Sequence, residues 1–260
     1  MTDAPANEIL LLTTTLGAKK VRIDRIEGSE GLSELFCYRV EFTAFDLTVD
    51  YASLIDSTAT VTVQSNDGAR RYFNGIITRI RLVRIDAING WTTFEADLRP
   101  KFWKLGLKSD CKIWLDKTTT DIIKAVLDAS DIAGGYTCNA STTAVREFCV
   151  QYLETPLAFV MRLMEEEGLR FYFTHADGSH KLIIDSSTAT PPDCPGVSTL
   201  DFRENITSNQ TEENIVNQVI AEERLVSDGV AVHNYNFETP STSLLSTAGA
   251  TTRQMMNFPE

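Results

Sequence analysis

The sequence lacks long apolar runs, paired cysteine motifs and an excess of positive charge, and each absence excludes a class of protein. No window approaches the roughly 18 consecutive apolar residues of a membrane span, and no basic region precedes the short N-terminal apolar run as in a signal peptide. The five cysteines contain no Cys-x-x-Cys pair, which argues against a disulfide framework. The net charge of −12 argues against nucleic-acid and lipid-surface binding.

Catalytic motifs are also absent, since the sequence contains no GxSxG, Walker, GxGxxG or HExxH pattern. Two clusters keep a β-rich hydrolase open as an alternative function. Glu165, Glu166 and Glu167 are consecutive carboxylates, and His175 and His180 flank a four-residue turn that would place them opposite each other on paired strands. The favoured interpretation is a solvated helix end and two exposed hairpin histidines. Zinc normally needs a third and fourth ligand, so we predict no metal site and no cofactor.

β-branched residues dominate the composition, with 18 Ile, 16 Val and 30 Thr. Val61 and Val63 alternate with polar residues, which is typical of a half-buried strand, and Asn66-Asp67-Gly68 is strong hairpin chemistry. Gly75 interrupts the next strand and indicates a bulge or sharp bend. Similar strand patterns and turn signals occur before and after this hairpin. Residues 1–109 are therefore predicted to be an antiparallel meander that curls into a sandwich or barrel.

Residues 110–196 change to a mixed α/β pattern. Helical spacing of apolar residues predicts a helix over about 119–130, capped by a threonine. A second helix is predicted to begin at Thr155-Pro156 and to end before Gly168, because proline suits the first helical position and glycine the position after the last turn. Between the helices, Phe148, Val150 and Tyr152 alternate as a strand, and a hairpin turning at Ala176–Ser179 closes the segment.

The proline-rich segment 190–196 predicts a loop and a second boundary, after which the chain becomes polar. Ser227-Asp228-Gly229 predicts another hairpin there. The charge follows the same division: residues 1–109 hold 14 basic and 14 acidic residues, whereas 110–199 hold 7 and 13, and 200–260 hold 3 and 9. The negative excess therefore lies entirely after residue 109.

Several stretches of this chain resemble, in order, the sequence blocks of VgrG, the spike protein family of type VI secretion systems. The longest is REFCVQYLETPLAFVMRLMEEEGLRFYFTHADGSHKLIIDSS (146–187). The others are GSEGLSELFCYRVEF (28–42), RRYFNGIITRI (70–80), LRPKFWKLGLKSDCKIWLDKTTTDIIKAVL (98–127) and VHNYNFETPSTSL (232–244). Several long matches in order are far more specific than one short motif.

The resemblance implies a mainly β fold with an α+β insertion, in which two antiparallel barrel-like domains follow the pattern of contractile phage tail hubs. The implied division is a first barrel at 1–109, an inserted α/β segment with two helices and a hairpin at 110–196, and the start of a second barrel at 197–260. The sequence stops inside the stretch that resembles a late strand of that barrel, so we expect the second barrel to be truncated.

The resemblance also implies a structural function without enzymatic activity. Three copies of the chain are expected to adapt a threefold needle to the hexameric tube protein, Hcp. Further expected partners are baseplate components and, through regions after residue 260, a PAAR tip and effectors, with no nucleic acid and no membrane anchor. The protein is expected in the bacterial cytoplasm before firing and is then exported by the injection machine without a signal peptide. The near alternative is the hub of a contractile phage tail or an extracellular injection system.

Contacts between subunits are expected to come from strand edges and apolar positions left exposed. The aromatic residues predicted at such an interface are Phe73, Phe102, Trp103 and Trp114, with burial in the core as the alternative for each. A carbohydrate- or surface-binding β module is the third class of function left open.

Overall fold

A computed structural model describes residues 10–17, 20–64, 68–190, 201–202, 215–216, 218–221 and 229–249. The chain divides into two compact units, Met1–Pro192 and Asp193–Glu260, and each is described by itself. The α/β segment belongs to the same unit as the first sheet. The domain boundaries at 109 and 196 stay predictions.

The first unit is built around a nearly closed, barrel-like sheet of six antiparallel strands. The strands are β1 (Leu10–Thr13), β2 (Val21–Ser29), β3 (Cys37–Ala44), β4 (Thr58–Gln64), β5 (Arg70–Asp86) and β6 (Trp91–Arg99). Their order is β1-β4-β5-β6-β3-β2, and the two end strands, β1 and β2, also lie in contact. A short 3₁₀ helix, Tyr51–Leu54, precedes β4. The predicted antiparallel, barrel-like β fold is confirmed.

Curvature of the sheet comes from irregular pairing along β5. The register of β5 against β6 shifts between Ile77 and Arg79 and again between Leu82 and Arg84, as β-bulges produce. Gly75 lies before both shifts, and a Cβ placed on it would lie 3.0 Å from the carbonyl oxygen of Arg99. The glycine is therefore needed for the close approach of β6, and the bulges predicted from it lie farther along the strand.

Arginines on the outside of β5 pair with carboxylates of β6. Arg79 donates to Asp97 at 2.7 Å and to Glu95 at 2.5 Å, and Arg81 reaches the other oxygen of Glu95 at 2.9 Å. The Arg79 guanidinium holds the pKa of the Asp97 carboxyl below its usual range. The basic residues of this strand thus form a cross-strand ion network.

The α/β segment follows a 3₁₀ helix at Lys101–Gly106. Its elements are β7 (Asp110–Thr118), α1 (Thr119–Asp128), β8 (Tyr136–Cys138), β9 (Val145–Glu154), α2 (Pro156–Glu166), β10 (Leu169–Ala176) and β11 (Ser179–Ser186). Strands β10 and β11 form an antiparallel hairpin, and β8 joins β11 in parallel. Strands β7 and β9 form a separate two-stranded antiparallel ribbon.

Both helices begin where the sequence predicts, because local hydrogen bonds satisfy their first amides. The Thr118 hydroxyl accepts from the amide of Asp121 at 3.2 Å, and the Thr155 hydroxyl accepts from the amide of Ala158 at 3.1 Å. Gly168 follows α2 with a φ of 61°, the left-handed conformation of a helix-ending glycine.

Two apolar cores fill the first unit, one inside the barrel and one between the helices and the small sheet. Phe159 and Leu163 of α2 lie in the second core with Ile122 of α1, each fully buried. Phe173 of β10 packs against both cores and so connects them.

The described part of the second unit contains four short strands. They are β12 (Asp201–Phe202), β13 (Ile215–Val216), β14 (Gly229–Asn234) and β15 (Leu244–Gly249). Strands β14 and β15 form an antiparallel hairpin, whereas β12 and β13 pair in parallel, which departs from the antiparallel expectation. Residues 227–228 of the predicted hairpin turn lie outside the described residues, and the truncated second barrel stays a prediction. None of the described helices is long and apolar enough to cross a membrane.

The close pairing of β2 and β3 predicts that Gly28 tolerates no side chain. A Cβ on Gly28 would lie 2.5 Å from the carbonyl oxygen of Cys37 and 2.9 Å from the Cα of Tyr38, so backbone must move. We expect Gly28→Ala to lower the free energy of unfolding by roughly 1–3 kcal/mol in urea. Gly31→Ala is the matched control, because its Cβ would meet only the mobile end of the Glu34 side chain. Equal midpoints for the two variants would contradict this account.

Candidate assembly surface

One face of the β7–β9 ribbon carries large apolar side chains that the rest of the chain leaves exposed to solvent. The register pairs Ile113 with Val150 and Leu115 with Phe148, and directly opposed residues share one face of a sheet. Tyr152 lies two residues beyond Val150 and therefore on the same face. This set of five residues, Ile113, Leu115, Phe148, Val150 and Tyr152, is called the outer face below.

The outer face is strongly exposed. Ile113 and Leu115 are 59% and 58% exposed, Phe148 is 63% exposed and Tyr152 is 72% exposed. Leu153, the next residue along β9, is also 67% exposed and has a φ of 51°, a conformation that is uncommon for leucine. Exposed apolar patches of this kind mark contact sites for other proteins.

The opposite face of the ribbon covers the core of the α/β segment. Trp114 and Cys149 are buried there with Gln151, whose side-chain amide donates to the carbonyl of Glu154 at 3.0 Å. The ammonium group of Lys112 lies 4.1 Å from the Trp114 ring centre, a cation–π contact. The alternation of Phe148, Val150 and Tyr152 correctly predicts a strand. These apolar side chains lie on the face of the ribbon that is turned to solvent, whereas the polar Gln151 lies on the buried face.

Two of the four aromatics predicted at an interface are buried in this chain. Phe102 is 1% exposed and meets Phe171 edge-on, with ring centres 5.6 Å apart. Trp114 is 8% exposed, and its indole nitrogen has no hydrogen-bond partner among the described residues. These side chains fill the core of the α/β segment, so the expectation that they are exposed on the monomer is wrong. Their predicted role between subunits is otherwise untested.

The other two predicted aromatics are half-buried. Phe73 packs edge-on against Tyr38 with ring centres 5.3 Å apart, and the Arg71 guanidinium lies 4.9 Å from its ring centre. The guanidinium of Arg99 lies 5.4 Å from the ring centre of Trp103. Each keeps an accessible part, and an interface role for both stays a prediction. The exposed face could have been recognised from Ile113 and Leu115, the apolar residues on either side of Trp114, because alternation along β7 places them on the face opposite to Trp114.

The glutamates of the hydrolase alternative hold secondary-structure elements together. Arg146 of β9 donates to Glu166 at 2.8 Å and to Glu167 at 2.9 Å, and Arg162 donates to Glu166 at 3.0 Å. The Thr119 hydroxyl donates to Glu167 at 2.7 Å, which ties the start of α1 to the end of α2. These hydrogen bonds hold the pKa of the Glu167 carboxyl below its usual range, and the arginines do so for Glu166 against the opposing effect of burial.

The two histidines face each other across the hairpin, as the turn spacing predicts. Their exposure was predicted wrongly, because both rings pack against the barrel. His175 is 8% exposed, and its ring lies 4.9 Å from that of the fully buried Phe36. His180 accepts a hydrogen bond from the amide of Lys101 at 3.0 Å. Burial lowers the pKa of both, that of His180 to about 4.

Two cavities of the first unit are small. One of about 100 Å³ lies between Phe102, Ile132 and His180, and another of about 160 Å³ lies between Leu16 and Val49. Sites for small-molecule ligands usually measure about 300–1,000 Å³. No cluster of three metal-ligating side chains occurs among the described residues. The described residues of this unit thus combine an exposed apolar face with small cavities.

Comparison with known families agrees with this geometry. The phage tail baseplate hub (GPD) family matches residues 29–259. The chain belongs to this family. The matched range contains strands β3 to β6 of the barrel, the α/β segment and the described strands of the second unit. Four of the five sequence blocks that resemble VgrG lie wholly within it.

Named relatives are spike proteins of type VI secretion systems. The spike protein VgrG1b of Pseudomonas aeruginosa is 28% identical over 94% of this chain and 32% of its own length. VgrG1c of the same species is 27% identical over 88% of this chain and 31% of its own length. The chain therefore spans about a third of the length of these relatives.

Solved structures share the fold. A component of the E. coli type VI secretion system, described as structurally similar to the T4 bacteriophage tail proteins gp27 and gp5, matches with a TM-score of 0.58 and 23% identity. The match covers 66% of this chain and 48% of that protein. A tail protein from Neisseria meningitidis matches with a TM-score of 0.56 and 12% identity, over 95% of this chain and 69% of its own. The hub fold is therefore shared by secretion and tail proteins.

The ion pairs between β9 and the end of α2 predict a pH-dependent loss of stability when Arg146 is removed. Arg146→Ala removes the ion-pair partner of Glu167 and one of the two arginines that pair with Glu166. Both carboxylates lie at the C-terminal end of α2, where the helix dipole also disfavours negative charge. We expect a loss of about 1–2 kcal/mol in urea unfolding at pH 7. Folding lowers the pKa of Glu166 and Glu167 from 4.5, so the contribution of Arg146 is present above that value and disappears as the pH falls through the folded-state pKa.

Lys181→Ala is the control for this measurement, because Lys181 is exposed in the same unit and enters no ion pair of the described residues. Its unfolding free energy should match that of the unsubstituted chain at every pH. A deficit of Arg146→Ala that stays constant from pH 7 to pH 3 would contradict the assignment of the ion pairs.

Proposed function

We propose that this chain is the structural hub at the base of the spike in a type VI secretion machine. Three copies form a ring that adapts a threefold needle to the hexameric tube protein, Hcp. The single observation that carries the proposal is the hub-family match over residues 29–259, supported by the barrel-like sheet of the first unit. The chain needs no active site for this role, because the work of penetration comes from sheath contraction.

The outer face of the β7–β9 ribbon is the proposed surface for assembly. Isolated exposed apolar residues are ordinary, but here four large ones lie side by side on two paired strands. Aromatic residues such as Phe148 and Tyr152 are enriched in protein interfaces. In the assembled machine we expect this face to be covered by protein.

Further partners follow from the similarity to spike proteins. Baseplate components are expected around the ring, and a PAAR tip and effectors are expected through regions after residue 260. We propose that the protein is made in the bacterial cytoplasm and leaves through the injection machine. The net charge of −12 supports the absence of nucleic acid among its partners.

The hub of a contractile phage tail or of an extracellular injection system is the second candidate. The observation in its favour is the structural match to the Neisseria tail protein, which covers 95% of this chain. The hydrolase alternative loses its motivation, because Glu166, Glu167 and both hairpin histidines are engaged in contacts that hold the fold together. A carbohydrate-binding role has no supporting observation in the described residues.

The hub proposal predicts that the outer face is needed for assembly and dispensable for folding. The test uses Phe148→Ser combined with Tyr152→Ser in the natural full-length protein, in the bacterium that makes it. We expect export of the tube protein into the medium to fall at least about tenfold, since a large part of the buried apolar contact would be lost. Mass photometry of the purified full-length variant should show fewer trimers than the unsubstituted protein.

Ile88→Ser is the matched control, because Ile88 is 96% exposed at the turn between β5 and β6, away from the ribbon. It should leave export and trimer content unchanged. Urea unfolding of the 260-residue chain should give the same midpoint for all variants. Normal trimers and normal export for the double variant would refute the role of the outer face, and a strictly monomeric full-length protein would refute the hub itself.

A further inference from the structure

The hairpin histidines lie at the junction between the β10–β11 hairpin and the barrel. Their ring centres are 6.3 Å apart, and both rings meet Phe36 of the barrel edge-on, at 4.9 Å for His175 and 5.6 Å for His180. One barrel residue, Asn74 of β5, contacts both imidazoles and is 1% exposed. None of these groups is used by the proposed assembly surface.

The hydrogen bonds of His180 define its protonation state. Its Nε2 atom lies 3.0 Å from the backbone nitrogen of Lys101, and a backbone N–H can only donate, so Nε2 accepts. Its Nδ1 atom lies 2.7 Å from the side-chain oxygen of Asn74 and therefore carries the proton. The orientation of the Asn74 amide is fixed, because its nitrogen lies 3.3 Å from the carbonyl oxygen of Ala59, which can only accept, and also donates to the Thr60 hydroxyl at 2.8 Å. His180 is thus a neutral imidazole with the proton on Nδ1.

His175 is held in the opposite tautomer by the same barrel residue. The backbone N–H of Asn74 donates to Nδ1 of His175 at 3.1 Å, which leaves the proton on Nε2. That nitrogen lies 3.4 Å from the Tyr38 hydroxyl and 3.5 Å from a Glu30 oxygen, which itself accepts from Tyr38 at 2.6 Å. Each ring therefore accepts a backbone N–H of the rest of the unit through one nitrogen and carries its proton on the other.

We propose that His175, His180 and Asn74 form an acid-sensitive latch that holds the β10–β11 hairpin on the barrel. The latch is closed while both imidazoles are neutral. A second proton on either ring converts its accepting nitrogen into a donor that faces a backbone N–H, so the hydrogen bond to Lys101 or to Asn74 is lost. Two cationic rings 6.3 Å apart would also repel each other inside a largely buried site.

The charged groups around the latch determine which ring responds. Glu30, between β2 and β3, favours a charged His175, whereas Arg71 of β5 disfavours it. Lys101 is the first residue of the 3₁₀ helix that follows β6, and its positive charge disfavours a charged His180. A charged His175 has the same effect. The Tyr38 hydroxyl stays protonated, because burial and Glu30 raise its pKa. Among the described residues, Glu30 lies within ion-pair distance of His175, whereas Asp131, which lines the cavity beside His180, is paired with Lys104. His180 therefore sets the lower end of the pH range.

The stability contributed by the latch depends on pH in a defined direction. Folding lowers the pKa of His180 from 6.5 to about 4, chiefly through burial. The contribution is therefore fully present above pH 6.5 and is lost as the pH falls from 6.5 through about 4, because the unfolded chain takes up the proton first. Over that interval the folded-to-unfolded ratio is expected to fall by roughly a hundredfold on account of His180.

The test follows the unsubstituted 260-residue chain by NMR and amide hydrogen exchange from pH 7.5 to pH 4. We expect His180 to show the Nδ1–H tautomer, His175 the Nε2–H tautomer, and neither ring to titrate near 6.5. Protection of the Lys101 and Asn74 amides should be lost below about pH 5 while β4 remains protected. A His180 ring that titrates near 6.5, with Lys101 protection unchanged to pH 4, would overturn the latch.

Two variants separate the latch from general acid unfolding. His180→Gln removes the titrating group, and we expect the fall in urea stability between pH 6.5 and pH 4 to shrink by at least about tenfold in the folded-to-unfolded ratio. His233→Gln is the control, because His233 is exposed in the second unit and should leave the pH profile unchanged. Should His180→Gln fail to fold, the exchange measurement on the unsubstituted chain still decides. A pH profile of His180→Gln identical to that of the unsubstituted chain would also refute the latch.

Discussion

The docking of the β10–β11 hairpin on the barrel is the contact on which the first unit depends. Phe173 of the hairpin belongs to both apolar cores, and its ring meets the fully buried Phe36 at 5.0 Å. Asn74 adds a polar constraint, because its amide oxygen and backbone N–H are both satisfied by hairpin histidines. Without the hairpin, a buried strand of the barrel would hold unpaired polar groups, which cost far more than they contribute when paired. The barrel and the α/β segment therefore form one folding unit.

Local chemistry explains the parts of this fold that the sequence predicts well. Thr118, Thr155 and Gly168 act within one or two turns of their own position, so their hydrogen bonds or backbone angles follow from neighbouring residues alone. Turn chemistry and strand alternation likewise predict the antiparallel hairpins of the first hundred residues. These elements need no knowledge of what lies across the molecule.

Tertiary contacts explain where the structure differs from the predictions made from the sequence. His175 and His180 were expected to be exposed because a hairpin tip normally meets water, but Phe36, just before β3, and Asn74 of β5 cover them. Gly75 was expected to mark a bulge, whereas its role depends on the approach of Arg99 across the sheet. Phe102 and Trp114 were predicted at an interface with core burial as the alternative, and both are buried in this chain, so their role between subunits stays a prediction. Spacing along the chain contains no information about these partners.

The β7–β9 ribbon shows why period-two alternation is ambiguous in a member of an assembly. Alternation reveals that a strand has two unlike faces, but it does not show which face is buried, because that depends on what packs against the strand in the folded chain. Here Trp114 and Cys149 already fill the inner side, and Gln151 can be buried because a backbone carbonyl satisfies its amide. The inner face is thus complete, and Phe148 and Tyr152 contribute nothing to the stability of the isolated chain while they remain in water. Large exposed aromatics on a ribbon with a complete inner face are best explained by contacts that form only after folding. That order of events suits a subunit that folds first and then joins an assembly.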